Sequence, residues 1–251
     1  NDDGIYDQTE LVHPLQGLGE HGAHGIILSA DKEHLLLIAG NQCPTTIDTS
    51  FPSLPAPGGW IGRLPPDGSK IEIVAAGLRN AYDLTLNSKG DLFTCDSDAE
   101  KNIGLPWYRP PRFLHAVNAT DFGWRQGAEK WPFHYADSVP PVAELPPSSP
   151  AGMVSGHLLH FPLRYRESVF VLDWTFGSIH SIHLQPEGAG YKASTELFLS
   201  GKNLPVTDAV AHPDGSLYFI TGGRGMPSKL YRVRHESPTP SPDSSNQSIN
   251  Q

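Results

Sequence analysis

Three stretches of this chain can be laid over one another, and that repetition constrains the fold more than any other feature. They are His24 to Asn41, Tyr82 to Asp98 and Thr207 to Gly223. Each reads as a short apolar strand, a turn built on Asp or Asn and usually Gly, and a second strand ending in small or acidic residues. Such turn residues reach positive φ at little cost, as a tight hairpin requires. A looser fourth copy begins near Ala151 and has its second strand at Val169 to Trp174. Outer strands follow the hairpins, at Trp60 to Leu64 turning through Pro66-Asp67-Gly68 into Ile71 to Val74, and at Ile179 to Leu184 turning before Tyr191. Four strands recurring at a period of roughly 60 residues predict an all-β fold, a β-propeller of four-stranded blades.

Four blades are visible over residues 1–235, with an outer strand of an earlier blade expected at Thr9 to Pro14 after a turn at Asp2-Asp3-Gly4. A closed ring of four is uncommon, so the reading is a ring that is open or that lacks N-terminal blades. The first residue is Asn, and a leader or earlier repeats are expected to have preceded it. From Glu236 onward the chain is Ser- and Pro-rich and too polar to pack, so residues 236–251 read as a disordered linker.

Composition narrows the function classes. The net charge is -9 with both signs scattered, which argues against a nucleic-acid partner, since that needs a concentrated basic face. No apolar run approaches the length of a membrane span. Cys43 and Cys95 are the only cysteines. One pair cannot staple a chain of 251 residues, and both read as reduced and packed.

The repeats also locate a site. A blade's first strand leaves one face of the ring and its second returns there. The segments leading into first strands and those leaving second strands therefore gather at one mouth of the channel. The lead-in segments are Gly19 to His24, Leu78 to Asp83 and Pro205 to Asp208. The exit segments are Asn41-Gln42, Asp96 to Glu100, Asp173-Trp174 and Gly222 to Gly225. They are much more polar than the strands they flank, and polar groups at a narrowing must be solvated, bonded together or bound to a ligand.

Each candidate carries two readings. His21 and His24 suit proton abstraction from an alcohol, or bond to backbone carbonyls. Arg79 holds an anionic ligand, or braces a carboxylate such as Asp83 or Asp98. Asp96, Asp98 and Glu100 alternate, share one face of an extended segment, and offer the hard oxygens that calcium takes; the plain alternative is solvation or salt bridging. Trp107-Tyr108-Arg109 and Phe122-Gly123-Trp124-Arg125 read as packing beneath the long loop after Glu100, or as surfaces for a sugar or flat cofactor.

The same segments carry a family likeness over residues 2–235. Gly19-Glu-His-Gly-Ala-His-Gly-Ile-Ile-Leu, Ala76-Gly-Leu-Arg-Asn-Ala-Tyr-Asp-Leu, Asp96-Ser-Asp-Ala-Glu and Asp121-Phe-Gly-Trp resemble the glucose/sorbosone dehydrogenase family of quinone-dependent propellers. Pro106 to Pro110, Lys130-Trp-Pro, Leu172 to Gly177, Leu204 to Asp208 and Gly222-Gly-Arg-Gly resemble its sorbosone-dehydrogenase-like branch in planctomycete-type bacteria. The resemblance implies a six-bladed ring, pyrroloquinoline quinone (PQQ) as oxidant and a calcium ion holding it. It implies His21 as the base with His24 beside it, and Arg79, Asn80, Asp83, Trp174, Thr207, Asp208 and Arg224 around the cofactor. It further implies a sugar or alcohol substrate, an electron acceptor such as a cytochrome domain, and a periplasmic or other extracytoplasmic location. The segments Trp174 to Ser178 and Pro205 to Asp208 contain no Lys or Arg, leaving Lys202 and Arg224 as the nearest cations there. Two rival readings remain open, a calcium-propeller hydrolase of lactonase type and a propeller that binds carbohydrate or a partner without chemistry.

Overall fold

A computed structural model describes residues 9–48, 53–132 and 134–236. Four antiparallel sheets follow one another along the chain. The first blade pairs Ala23–Leu28, Leu35–Ala39, Gly59–Leu64 and Glu72–Leu78 in that order. The second pairs Leu84–Leu86, Leu92–Asp96, Arg112–Ala116 and Ala143–Glu144. The third pairs Pro150–Ser155, Ser168–Asp173, Ser178–Glu187 and Gly190–Ser200. In the fourth, Val206–Ala211, Leu217–Thr221 and Lys229–Val233 form a sheet of three strands among the described residues. These are the hairpins and outer strands that the repeat pattern predicts, a β-propeller arrangement of blades.

Alternation along single strands shows how blades stack. In Ser168–Asp173 all six residues are buried. Val169 and Val171 pack with Phe93, Phe113 and Met153 toward the second blade. Phe170 and Leu172, on the other face, pack with Val206, Leu217 and Phe219 of the fourth. A strand covered on both faces reads as a continuous apolar run for this reason. The first and second blades share a third cluster, in which Leu36, Ile38 and Ile61 meet Leu84, Leu114 and Phe122. Beyond the first blade Trp60 packs with Cys43 and Ala76, its indole N–H donating to Cys43 O at 2.7 Å. Both cysteines are buried free thiols.

Inner strands of neighbouring blades approach at glycines. A Cβ on Gly152 would lie 2.9 Å from Asp208 Cα, and one on Gly25 would lie 3.2 Å from Tyr82 O. Side chains at either position would push two blades apart, which is why the sequence places none there.

Two features depart from the sequence reading. Thr9 to Pro14 forms no strand. It runs along the first blade, with the His13 ring bonded to Gly68 O at 2.9 Å and Leu18 N donating to Gln42 O at 3.0 Å. Its apolar residues Leu11 and Val12 are exposed, so it lacks the sheet partner an outer strand needs. The long connection of the second blade also adds Thr120–Asp121 in parallel to the first blade's outer strand and folds Trp124–Arg125 against Glu129–Lys130. The Asp2-Asp3-Gly4 turn and the linker beyond Glu236 lie outside the described residues.

Gly152→Ala is expected to destabilise the chain by about 1–3 kcal/mol, because the methyl meets backbone of the next blade rather than a movable side chain. Gly190→Ala meets nothing closer than Glu187 O at 3.9 Å and serves as control. Equal urea midpoints for the two variants would show that the blades do not approach there as described.

Candidate functional site

The mouth is organised by carboxylates at the ends of second strands. In the second blade Asp96 is fully buried. Its Oδ1 accepts the backbone N–H groups of Arg79 at 2.9 Å and Asn80 at 3.0 Å, and its Oδ2 accepts Arg112 Nη2 at 2.9 Å. Arg112, itself buried, reaches on to Phe122 O at 2.6 Å. In the third blade Asp173 accepts Ser149 N and Thr175 N on Oδ1 and Phe176 N and Ser178 Oγ on Oδ2. The same position thus clamps the lead-in turn of its own blade in both cases. Backbone groups do this work in the first blade, where Gly40 N donates to Gly22 O and Gln42 N to His21 O.

On this frame the structure joins the first and second blades. Asn41 N donates to Arg79 O at 2.8 Å. His21 Nδ1 lies 2.5 Å from Asn41 Oδ1 and His24 Nε2 lies 2.7 Å from Asn80 Oδ1. An amide oxygen accepts, so each contact places the proton on that ring nitrogen. In the neutral ring this leaves Nε2 of His21 and Nδ1 of His24 as the acceptor nitrogens. His24 stacks on Tyr82, centroids 3.9 Å apart, and burial holds its pKa below the ordinary value despite the Asn80 bond. The Arg79 guanidinium donates to Ser97 Oγ at 3.0 Å and to Glu100 at 3.2 Å.

Asp83 links the second and third blades. Its Oδ1 accepts Leu84 N at 2.8 Å and its Oδ2 accepts Met153 N at 2.7 Å. Burial nevertheless outweighs these bonds, and with a contribution from the Asp208 charge its pKa is pushed up to about 6. Asp83 and Asp208 lie 125 residues apart in a chain of 251, yet they are close enough in the fold for the charge of Asp208 to act on Asp83. Asp208 repeats the local pattern, its Oδ1 accepting Ala209 N at 2.7 Å. Across the third and fourth blades Trp174 donates to Gly222 O at 2.7 Å, and Arg224 lies 5.4 Å from the Trp174 ring. Thr207 spends its hydroxyl on Ile220 O.

The three alternating acids each meet a separate protein partner. Asp96 points inward and is saturated by the donors above, and Glu100 pairs with Arg79. Asp98 Oδ2 accepts Tyr108 OH at 2.5 Å, which leaves Asp98 Oδ1 as a buried atom without a partner. Among the described residues, the one group of three His, Cys, Asp or Glu side chains gathered closely enough for an ion is Asp31, Glu33 and His34, on the hairpin turn at the opposite face. Strand geometry explains the difference, since Asp96 is the last residue of its strand and turns into the blade.

Sequence reasoning passed over Asn41, Ser97 and Tyr108 as partners of the predicted residues, and Lys130 beneath them. Lys130 is 7% exposed and donates to Pro110 O at 2.9 Å; burial, with Arg112 nearby, holds its pKa down to about 7. Its place within the Lys130-Trp-Pro motif was the available signal.

No family model matches the chain, and no curated protein matches it. Solved structures do. A PQQ-bound aldose sugar dehydrogenase from Streptomyces coelicolor is similar with a TM-score of 0.58 and 19% identity, over 84% of this chain and 61% of that one. A glucose dehydrogenase is similar at 0.62 and 19%, over 88% and 66%. The apo soluble aldose sugar dehydrogenase of Escherichia coli is similar at 0.53 and 14%, over 86% and 85%. The chain shares their propeller fold, and it spans less than two thirds of the first two.

The raised Asp83 pKa lies above the ordinary 3.8. The group therefore contributes stability that is fully present below pH 3.8 and is lost as pH rises through about 6. Asp83→Asn cannot titrate, and one of its amide groups faces a backbone N–H that the carboxylate accepts. Urea unfolding across this window should show a stability deficit for Asp83→Asn that shrinks with rising pH. Parallel curves would contradict the environment described for Asp83.

Proposed function

We propose that this propeller takes part in the quinone-dependent oxidation of a sugar or related alcohol, with His21 as the proton acceptor. The observation that supports it most directly is the 2.5 Å contact between His21 Nδ1 and Asn41 Oδ1. It fixes the tautomer and ring orientation and frees the Nε2 lone pair. A neutral imidazole held in this way is suited to take a hydroxyl proton, with a contribution of roughly 10²–10⁴-fold to the rate. Asn80 and Asp83 provide acceptors for neighbouring hydroxyls, and Asp83 near its pKa can also donate.

The mouth fits a flat polycarboxylate in two respects. Arg79 is 18% exposed while its partner Glu100 is 60% exposed, so the Glu100 carboxylate marks where a ligand carboxylate would sit. Trp174 with Arg224 over its ring offers a stacking surface that carries a cation. Arg79, Asn80, Trp174 and Arg224 would hold the quinone. When bound, it supplies a two-electron acceptor for the hydride that leaves the substrate carbon as His21 takes the proton. At Asp96, Asp98 and Glu100 calcium would compete with Arg112, Tyr108 and Arg79 for the carboxylates. A lactonase-type site would need ligands from several blades on one ion, which the described residues do not gather.

No helix among the described residues is long and apolar enough to cross a membrane. A periplasmic setting and transfer of electrons to a cytochrome-type acceptor belong to the same proposal and rest on the fold likeness.

The test is dye-linked oxidation of a panel of aldoses and polyols by the chain reconstituted with the quinone. His21→Ala should lower kcat at least about 100-fold while the quinone absorbance shift on binding persists. Asn41→Ala should lower it less, by roughly tenfold, since it loosens the ring without removing the base. Unchanged turnover in His21→Ala, or no absorbance shift with the parent chain, would overturn the proposal.

A further inference from the structure

Large aromatic side chains on a protein surface are normally turned inward, and two on the mouth are not. Trp107 is 60% exposed and Phe176 is 65% exposed, whereas Trp60 and Trp124 are buried. Both lie in connections between a second and a third strand, at Ser97 to Pro111 in the second blade and at Trp174 to Gly177 in the third. The topology puts those connections on the face that carries His21, Asn80 and Asp83.

Neither ring is exposed because its loop is loose. The Trp107 loop is wound from consecutive tight turns, with Asn102 N donating to Ala99 O, Ile103 N to Glu100 O, Leu105 N to Asn102 O and Tyr108 N to Leu105 O. It is pinned at its end by the Tyr108 OH bond to the buried Asp98. The Phe176 turn is held by Asp173, which accepts Thr175 N and Phe176 N. Two rigid turns therefore hold flat apolar faces out toward water. Tyr82, 44% exposed and stacked on His24, adds a third beside the candidate base.

We infer that the mouth binds an extended, neutral oligosaccharide, with Trp107 and Phe176 as platforms for sugar rings beyond the one presented to His21. The inference rests on reading the mouth as the sugar site, though not on its redox chemistry. A pyranose ring offers an apolar C–H face and a rim of hydroxyls. Aromatic planes take the first, and carboxylate, amide and imidazole groups such as Asp83, Asn80 and His21 take the second. With Arg79 and Arg224 assigned to the quinone, the carboxylates of Asp83 and Asp208 disfavour an acidic sugar ring beside them.

Calorimetric titration of the full chain with α-1,4- and β-1,4-linked glucose oligomers of increasing length reads binding without turnover. In one linkage series affinity should rise by at least about tenfold from monomer to hexamer. Trp107→Ala and Phe176→Ala should each reduce hexamer affinity by roughly three- to tenfold, and Trp107→Phe should restore most of the loss. Thermal midpoints should stay at the parent value, since both side chains are exposed. Length-independent binding in both series, or hexamer affinity untouched by either alanine, would overturn the inference. A failure of His21→Ala to impair oxidation would leave these binding results standing, so the two proposals fail separately.

Discussion

The mouth depends on one recurring bond: a carboxylate at the end of a blade's second strand accepting the backbone N–H groups of the turn that leads into the same blade. Asp96 does this for Arg79 and Asn80, and Asp173 for Ser149. Buried amides without a partner are costly, and a turn at the narrow end of a blade has no neighbouring strand to satisfy them. The side chain from the returning strand supplies the missing acceptor. Asp96 is buried as a charge, so it requires Arg112, and Arg112 in turn ties the second blade to Phe122 of the long connection. Removing one member of such a pair leaves the other buried and uncompensated, at a cost of about 3–5 kcal/mol.

That frame explains why residues distant in sequence act together. With lead-in turns fixed, Asn41 and Asn80 can each present an oxygen to a histidine, and Asp83 can reach across to Met153 in the next blade. The two histidines then differ in consequence. His21 is oriented by its inner nitrogen and keeps Nε2 open. His24 is stacked on Tyr82 and bonded through Nε2, which suits it to hold the wall of the site.

Much of the architecture was legible in the sequence because blade repeats write themselves as period-2 apolar runs with glycine turns, a local signal. Placing polar segments on one face followed from counting strand reversals. The role of Asp96 was not legible. Alternating acids at a strand end look the same whether they face an ion or the backbone of a turn 16 residues earlier, and only packing decides. Thr9 to Pro14 misled for a related reason: its composition suits a strand, but a strand exists only with a partner. Trp107 read equally as packing beneath its loop or as a surface outside it, and the chain of tight turns that holds it outside is set by backbone bonds that composition does not reveal.

The uncovered side of the fourth blade has a further consequence. Each inner blade is clamped between two neighbours, but in the fourth Val210, Ile220 and Leu230 stand exposed on the face opposite the third. Blades stacked in series behave as a nearly one-dimensional array, in which each unit's stability is its own plus that of its contacts. A blade with one apolar face exposed opens locally at lower cost than one covered on both faces. Amides of Val206–Ala211 and Leu217–Thr221 should therefore exchange through local release of this blade, well before the Ser168–Asp173 strand beside them is exposed to solvent.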